Sequence, residues 1–156
     1  MPLKEKDRKI IEMLANNEEA ISRLYSAYSD RFPEYKGFWS GLAADEIDHA
    51  GELRRLCEIA DRGGLHIREG RFNTTAISTF SSYVKRESAP DRIKASSLIN
   101  ALSVAVHIEE SIIENKFFEV FETDSVKFKQ VLLNLADETR RHLEKVRQMW
   151  NEQRRA

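Results

Sequence analysis

Apolar residues recur along most of this chain at alternating steps of three and four, the spacing that lines up one face of an α-helix. Over residues 4–31 the stripe reads Leu14, Glu18, Ile21, Tyr25 and Tyr28. Phe32-Pro33 interrupts it, and over 34–61 a second stripe reads Trp39, Leu42, Glu46, His49, Leu53 and Leu56. Gly63-Gly64 then supplies a left-handed stop. A third helix is predicted over 90–122, with Ile99, Val106, Glu110, Ile113, Phe117 and Phe121 on its stripe. Ser88-Ala89-Pro90-Asp91 opens it, Ser as cap and Pro in the first turn. A fourth, capped by Thr123-Asp124-Ser125, runs to residue 152 with Phe128, Val131, Leu135, Glu138, His142, Val146 and Met149 inward.

Between the two pairs, residues 63–89 form a long crossover, where Ile77, Phe80 and Val84 stand at helical spacing. A connection of that length without structure of its own is unusual, so it is expected to carry one short helix. Short connections after the first and third helices make each pair an antiparallel hairpin, and the long one lets the third helix run parallel to the second. The expected fold is all-α: a ferritin-like up-down-down-up four-helix bundle in one domain, 1–156. Helix pairs 4–62 and 90–152 form an internal repeat.

Composition narrows the function classes. At 156 residues the chain can bury a core without disulfides. Its 26 acidic and 25 basic residues nearly cancel, so charge implies neither nucleic acid nor an anionic membrane as partner. A lone Cys57 excludes an internal disulfide and any thiolate-only metal site. No stretch approaches the roughly 20 apolar residues of a membrane span. The charged start, Lys4-Glu5-Lys6-Asp7-Arg8-Lys9, does not read as a signal peptide, and a cytoplasmic location is expected.

The chemistry lies in what repeats. Glu18, Tyr25, Asp45 and Glu46 recur as Glu110, Phe117, Asp137 and Glu138 at a constant offset of 92 (110−18, 138−46), with Ala44 and Ala136 also aligned. Each helix therefore places a Glu within its apolar stripe. A single ionised carboxylate buried there costs several kcal/mol, and four facing one another require cations or protons. His49, three residues after Glu46, leaves the same face one turn on, so both can hold one metal. In the second copy that place is Arg141, and His142 comes one residue late. The apolar path from Glu138 runs through His142 to Val146, so His142 is read as the ligand and Arg141 as the outward residue.

The metal ligands expected are thus Glu18, Glu46, His49, Glu110, Glu138 and His142. Glu46 and Glu138 bridge, and Glu18 and Glu110 are terminal. Oxygen-rich ligands with a little imidazole select two iron ions first and manganese second. Glu19 and Glu109 fall off the stripes and are read as surface residues, Glu109 being the nearer alternative because it adjoins Glu110. His107 and Glu114 flank Glu110 and are possible additional ligands. Tyr25 is placed to hydrogen-bond a metal-bound carboxylate. Asp45 and Asp137 are placed to hold the His of the opposite pair in one tautomer.

Glu18, six residues, Tyr25, then Asp45-Glu46-x-x-His49, with its second copy, resembles rubrerythrin through all four long helices. The resemblance implies a non-haem di-iron (Fe-O-Fe) centre in a ferritin-like bundle. It further implies reduction of hydrogen peroxide in oxidative-stress defence, and often a homodimer. The chain departs from rubrerythrin in having no Cys-x-x-Cys rubredoxin module, so a separate rubredoxin-like protein would supply electrons. It also has Ile113 one turn after Glu110, where rubrerythrins commonly offer a further Glu. The same ligands suit two other functions, ferrous-iron oxidation by oxygen and metal binding without catalysis.

Overall fold

The computed structural model describes residues 3–62, 64–67, 74–115, 117 and 121–156. Among these described residues six α-helices dominate: α1 Glu5–Arg31, α2 Lys36–Ala60, α3 Thr74–Glu87, α4 Pro90–Ala95, α5 Leu98–Glu114 and α6 Val126–Arg155. Two short strands, β1 Leu65–Ile67 and β2 Phe121–Thr123, pair antiparallel with Leu65 opposite Thr123. No helix among the described residues is long and apolar enough to cross a membrane.

The first hairpin forms where the stripes end. Phe32 closes α1 by donating its backbone N–H to Tyr28 O, and Pro33 starts a single 3-10 turn, Pro33–Tyr35, where its missing N–H costs nothing. α1 and α2 then run antiparallel, as three cross-links show. Ser29 Oγ donates to Lys36 O at 3.3 Å, Ser22 Oγ donates to Ala43 O at 2.7 Å, and Arg54 pairs with Glu19. Every residue expected on these two stripes, from Leu14 to Leu56, is buried.

The second half departs from expectation in three ways. The helix foreseen over 90–122 is broken: Ser96, extended at φ −74° and ψ 134°, separates α4 from α5, and α5 ends at Glu114. Ser97, not Ser88, is the side-chain cap that starts the long helix, accepting from Asn100 N; Ser88 Oγ donates back to Val84 O at 2.7 Å. The crossover contains α3 as foreseen, but also β1, which holds the segment before α6. Gly64, at φ +95°, makes the turn into β1 in a conformation other residues rarely adopt; Gly63 lies outside the described residues.

α5 packs on α6, α2 meets α6, and α3 lies against α1 and α5. Ser125 caps α6 by accepting from Phe128 N. Ser103 with Trp150, and Glu110 with Arg147, link α5 and α6 in antiparallel order. The core is aromatic at one end, where Trp39 lies 4.8 Å from Tyr28 and 5.6 Å from Tyr25 between ring centroids. Tyr25 links this end to a group of buried acids and histidines through its hydrogen bond to Glu109.

Candidate metal centre

α1 brings Glu18, α2 brings Glu46 and His49, α5 brings Glu109, and α6 brings His142; all five are at most 5 % exposed. Glu46 is central. Its Oε2 lies 3.1 Å from His49 Nδ1 and its Oε1 lies 2.9 Å from His142 Nδ1. The two imidazoles stack at 5.4 Å between centroids, 26° apart. Glu18 Oε2 approaches His49 Nδ1 at 4.0 Å, and Glu109 Oε1 approaches His142 Nδ1 at 3.7 Å.

The outer nitrogens are held from the rim. Asp45 Oδ2 lies 3.0 Å from His142 Nε2, and Glu138 pairs with His49 Nε2. Both carboxylates are about half exposed. Each imidazole is therefore anchored through Nε2 by the opposite helix pair and turns Nδ1 inward, the arrangement by which carboxylates orient metal-binding histidines.

Three expected residues fall elsewhere. Glu110 turns outward to an ion pair with Arg147, and Glu109 takes the inward place, where its Oε1 accepts a 2.9 Å hydrogen bond from Tyr25 Oη. Glu138 is a rim residue holding His49 rather than a buried bridge. Asp137 pairs with Arg140 on the surface and does not reach a histidine. Of the possible additional ligands, Glu114 is exposed and His107, also exposed, packs edge-on against Tyr83. Arg141 is exposed beside Glu138.

These shifts share one origin. Burial and pairing match the halves at an offset of 91 along the first helix of each pair (109−18) and 93 along the second (142−49). Glu19 with Arg54 then corresponds to Glu110 with Arg147, and Asp45 to Glu138. Glu46 corresponds to Thr139, which is 2 % exposed and donates its hydroxyl to Leu135 O at 2.9 Å. The offset of 92 is the mean of the two and aligns acidic neighbours rather than equivalents.

The electrostatics follow from crowding acids in a dry core. Burial, then the charge of Glu46, raises Glu18 well above the carboxylate range. Burial and Glu46 likewise push Glu109 up to about 7, against the attraction of nearby His142 and the hydrogen bond from Tyr25. Glu46 itself is held far below that range: burial opposes its charge, but hydrogen bonds from Glu18, His142 and His49 outweigh it. Burial opposes the charged form of His142 too, yet Glu109 and Glu46 raise it to about 11. His49 is raised by Glu46 and Glu138. Without metal, Glu46 is thus held as a carboxylate between the two imidazoles.

The donor set fits a metal ion. One ligand atom from each of Glu46, His49 and His142 lies within 4.8 Å of the others. Glu18 Oε2 and Glu109 Oε2 are buried with no hydrogen-bond partner, a cost that a cation would remove. A cleft between α2 and α6, about 840 Å³ in volume, leads from solvent to His49 and His142.

No family model, curated protein or solved structure matches this chain. The site is therefore read from its own geometry.

Proposed function

We propose that this chain is a non-haem metalloprotein of rubrerythrin type. In this reading two metal ions, iron first and manganese second, sit in a ferritin-like four-helix bundle, and the protein reduces hydrogen peroxide with electrons from a separate rubredoxin-like donor. The observation that carries it is Glu46, which lies against both inward Nδ1 atoms while Glu18 and Glu109 keep buried oxygens unpartnered beside it.

Glu18, Glu46 and His49 would hold one ion, and Glu46, Glu109 and His142 the other. When bound, a redox-active metal pair supplies two electrons to cleave a peroxide O–O bond. The protein's residues do the rest. Asp45 and Glu138 fix the imidazole tautomers, Tyr25 fixes the rotamer of Glu109, and the cleft admits a small substrate while the aromatic end stays closed. A homodimer is the form expected from the resemblance, and a cytoplasmic location is the one expected from the lone Cys57 and the charged start.

Ferrous-iron oxidation is the second reading. Asp45, Asp48, Glu52 and Glu138 line the cleft and offer incoming cations successive carboxylates. Iron-loaded protein, reduced anaerobically and then given peroxide, separates the two. Rapid reoxidation by peroxide, much faster than by oxygen, supports peroxidase chemistry. Preference for oxygen, with turnover of added ferrous iron, supports the second reading.

A further inference from the structure

The aromatic rings at the closed end of the core form a path from the candidate centre to the surface. It begins where Tyr25 Oη donates to Glu109 Oε1 at 2.9 Å. Between ring centroids, Tyr25 lies 5.6 Å from Trp39, and Trp39 lies 4.8 Å from Tyr28. All three side chains are at most 1 % exposed. α3 packs on α1 beyond them, and Tyr83 on α3 comes next. Burial, then the nearby Glu87 and Tyr83, raise the Tyr28 phenol above its usual range, which places Tyr83 close to it. Tyr83 is half-buried, meets His107 edge-on at 4.7 Å, and borders a solvent-open cavity of about 810 Å³.

Packing alone does not call for these residue types. Trp39 buries its indole Nε1–H without a partner, which costs stability, and at the offset of 93 its counterpart on α6 is Leu132, a residue with no polar atom to satisfy. Phenol and indole are the most easily oxidised aromatic side chains, whereas a phenyl ring resists oxidation. Three such rings in contact, starting from a hydrogen bond to a candidate metal ligand, can pass electrons where no substrate enters.

We propose that Tyr25, Trp39, Tyr28 and Tyr83 form a relay that carries oxidising equivalents from the metal centre to the surface, protecting the core when peroxide meets a centre holding fewer than two electrons. The relay rests on the two-metal, peroxide-reducing reading above. Peroxide takes two electrons, and two protons from solvent, to become two waters. An electron missing at the centre is drawn from Tyr25, whose proton passes along its hydrogen bond to Glu109 Oε1. Trp39 returns an electron to Tyr25, and the proton comes back from Glu109. Tyr28 then reduces Trp39, and Tyr83 reduces Tyr28. Trp39 Nε1–H has no acceptor, so oxidised Trp39 keeps its proton and passes the charge on; Tyr83 meets water and releases its phenolic proton there. The net step moves one electron inward from Tyr83 and leaves a neutral phenoxyl radical at the cavity. A small thiol in solution restores Tyr83 by giving up a hydrogen atom.

The test uses the full chain loaded with iron and given peroxide in the presence of a nitroso spin trap, with adducts mapped by mass spectrometry. Tyr35 is the internal reference, since it is also half-buried but engages Gln153 instead. Wild type should collect adducts at Tyr83 in preference to Tyr35. In Trp39→Phe the ratio of Tyr83 to Tyr35 adducts should fall to that of metal-free protein treated alike, with iron content unchanged. Tyr28→Phe, which deletes a single hydroxyl, should give the same result and serves if Trp39→Phe does not fold. A wild-type ratio kept in the iron-loaded variants overturns the proposal, and so does iron-loaded wild type whose ratio matches that of the metal-free protein. Loss of iron from both variants overturns it too, because the rings would then shape the centre rather than conduct. Wild type that binds no iron, or whose bound iron does not react with peroxide, overturns the reading beneath it as well.

Discussion

Tyr25 Oη donates to Glu109 Oε1 at 2.9 Å, and both side chains are at most 1 % exposed. This bond ties α1 to α5 across the core and leaves Glu109 Oε2 free beside the imidazoles. It also makes the environment of Glu109 unlike that of Glu18, which has no phenol.

The choice between adjacent glutamates is directly testable. Glu109→Gln should weaken metal binding by at least about tenfold, since a neutral amide replaces an ion-binding oxygen in a buried site. Glu110→Gln removes only a half-exposed ion pair with Arg147 and should change stability by no more than about 1 kcal/mol. Metal titration of both variants checks this. Equal loss in the two would place the wrong face of α5 inward.

The pH dependence of the metal-free protein follows from two raised groups. His142, raised to about 11, contributes stability that is complete below its ordinary value of 6.5 and lost as pH rises toward 11. Glu109, raised to about 7, favours the folded state most below the usual 4.5 and loses that contribution between 4.5 and 7. Glu46, depressed, loses its own contribution only in strong acid. The metal-free thermal midpoint should therefore fall as pH is raised from about 5 to about 9. A midpoint that rises over this range would show that these groups do not meet.

In the proposed centre, metal and protons would compete for the same Nδ1 atoms. Loading should release protons and its affinity should increase with pH, while the loaded protein gains stability over the metal-free form, about 2.7 kcal/mol at a free metal concentration of one hundred times Kd. Calorimetry in two buffers of different ionisation enthalpy measures the proton release. Identical heats in both would mean that the histidines are not displaced from their carboxylates.

The rim carboxylates should act through the histidines. Asp45→Asn and Glu138→Gln should each weaken metal binding by about 10–100-fold while leaving the stoichiometry intact, because they orient ligands rather than supply them. Loss of a whole metal equivalent in Glu138→Gln would return Glu138 to the role of a bridge.

The helical class and the first half of the centre were legible in the sequence because α1 and α2 alternate clearly between apolar and polar faces. Glu18, Glu46 and His49 sit on those faces without ambiguity. α5 is different. Asn100, Ser103, His107, Ser111 and Glu114 recur at steps of three and four as its polar face, which turns Glu110 outward, but the stripe through Ile99, Val106 and Glu110 is phased on residues farther along the chain. Phe117 and Phe121, which set that phase, lie beyond the helix end at Glu114. The buried series Ala101, Leu102, Ala105, Ile108 and Ile112 would have selected Glu109. In α6, His142 identified the inward face, but the fixed repeat then assigned Glu138 to the place that Thr139 occupies. The strands pair residues 65–67 with 121–123, a contact no local pattern announces.

The central claim is that Glu46 and the inward histidines bind metal, and metal content of the purified protein tests it most directly. Protein from iron-supplied cells, measured by elemental analysis against protein concentration, should hold close to two metal ions per chain, as proposed above. Glu46→Ala should hold essentially none, because the carboxylate between both imidazoles is gone. Wild-type protein that remains metal-free after anaerobic incubation with ferrous iron, or a Glu46→Ala variant that keeps its full complement, would contradict the account.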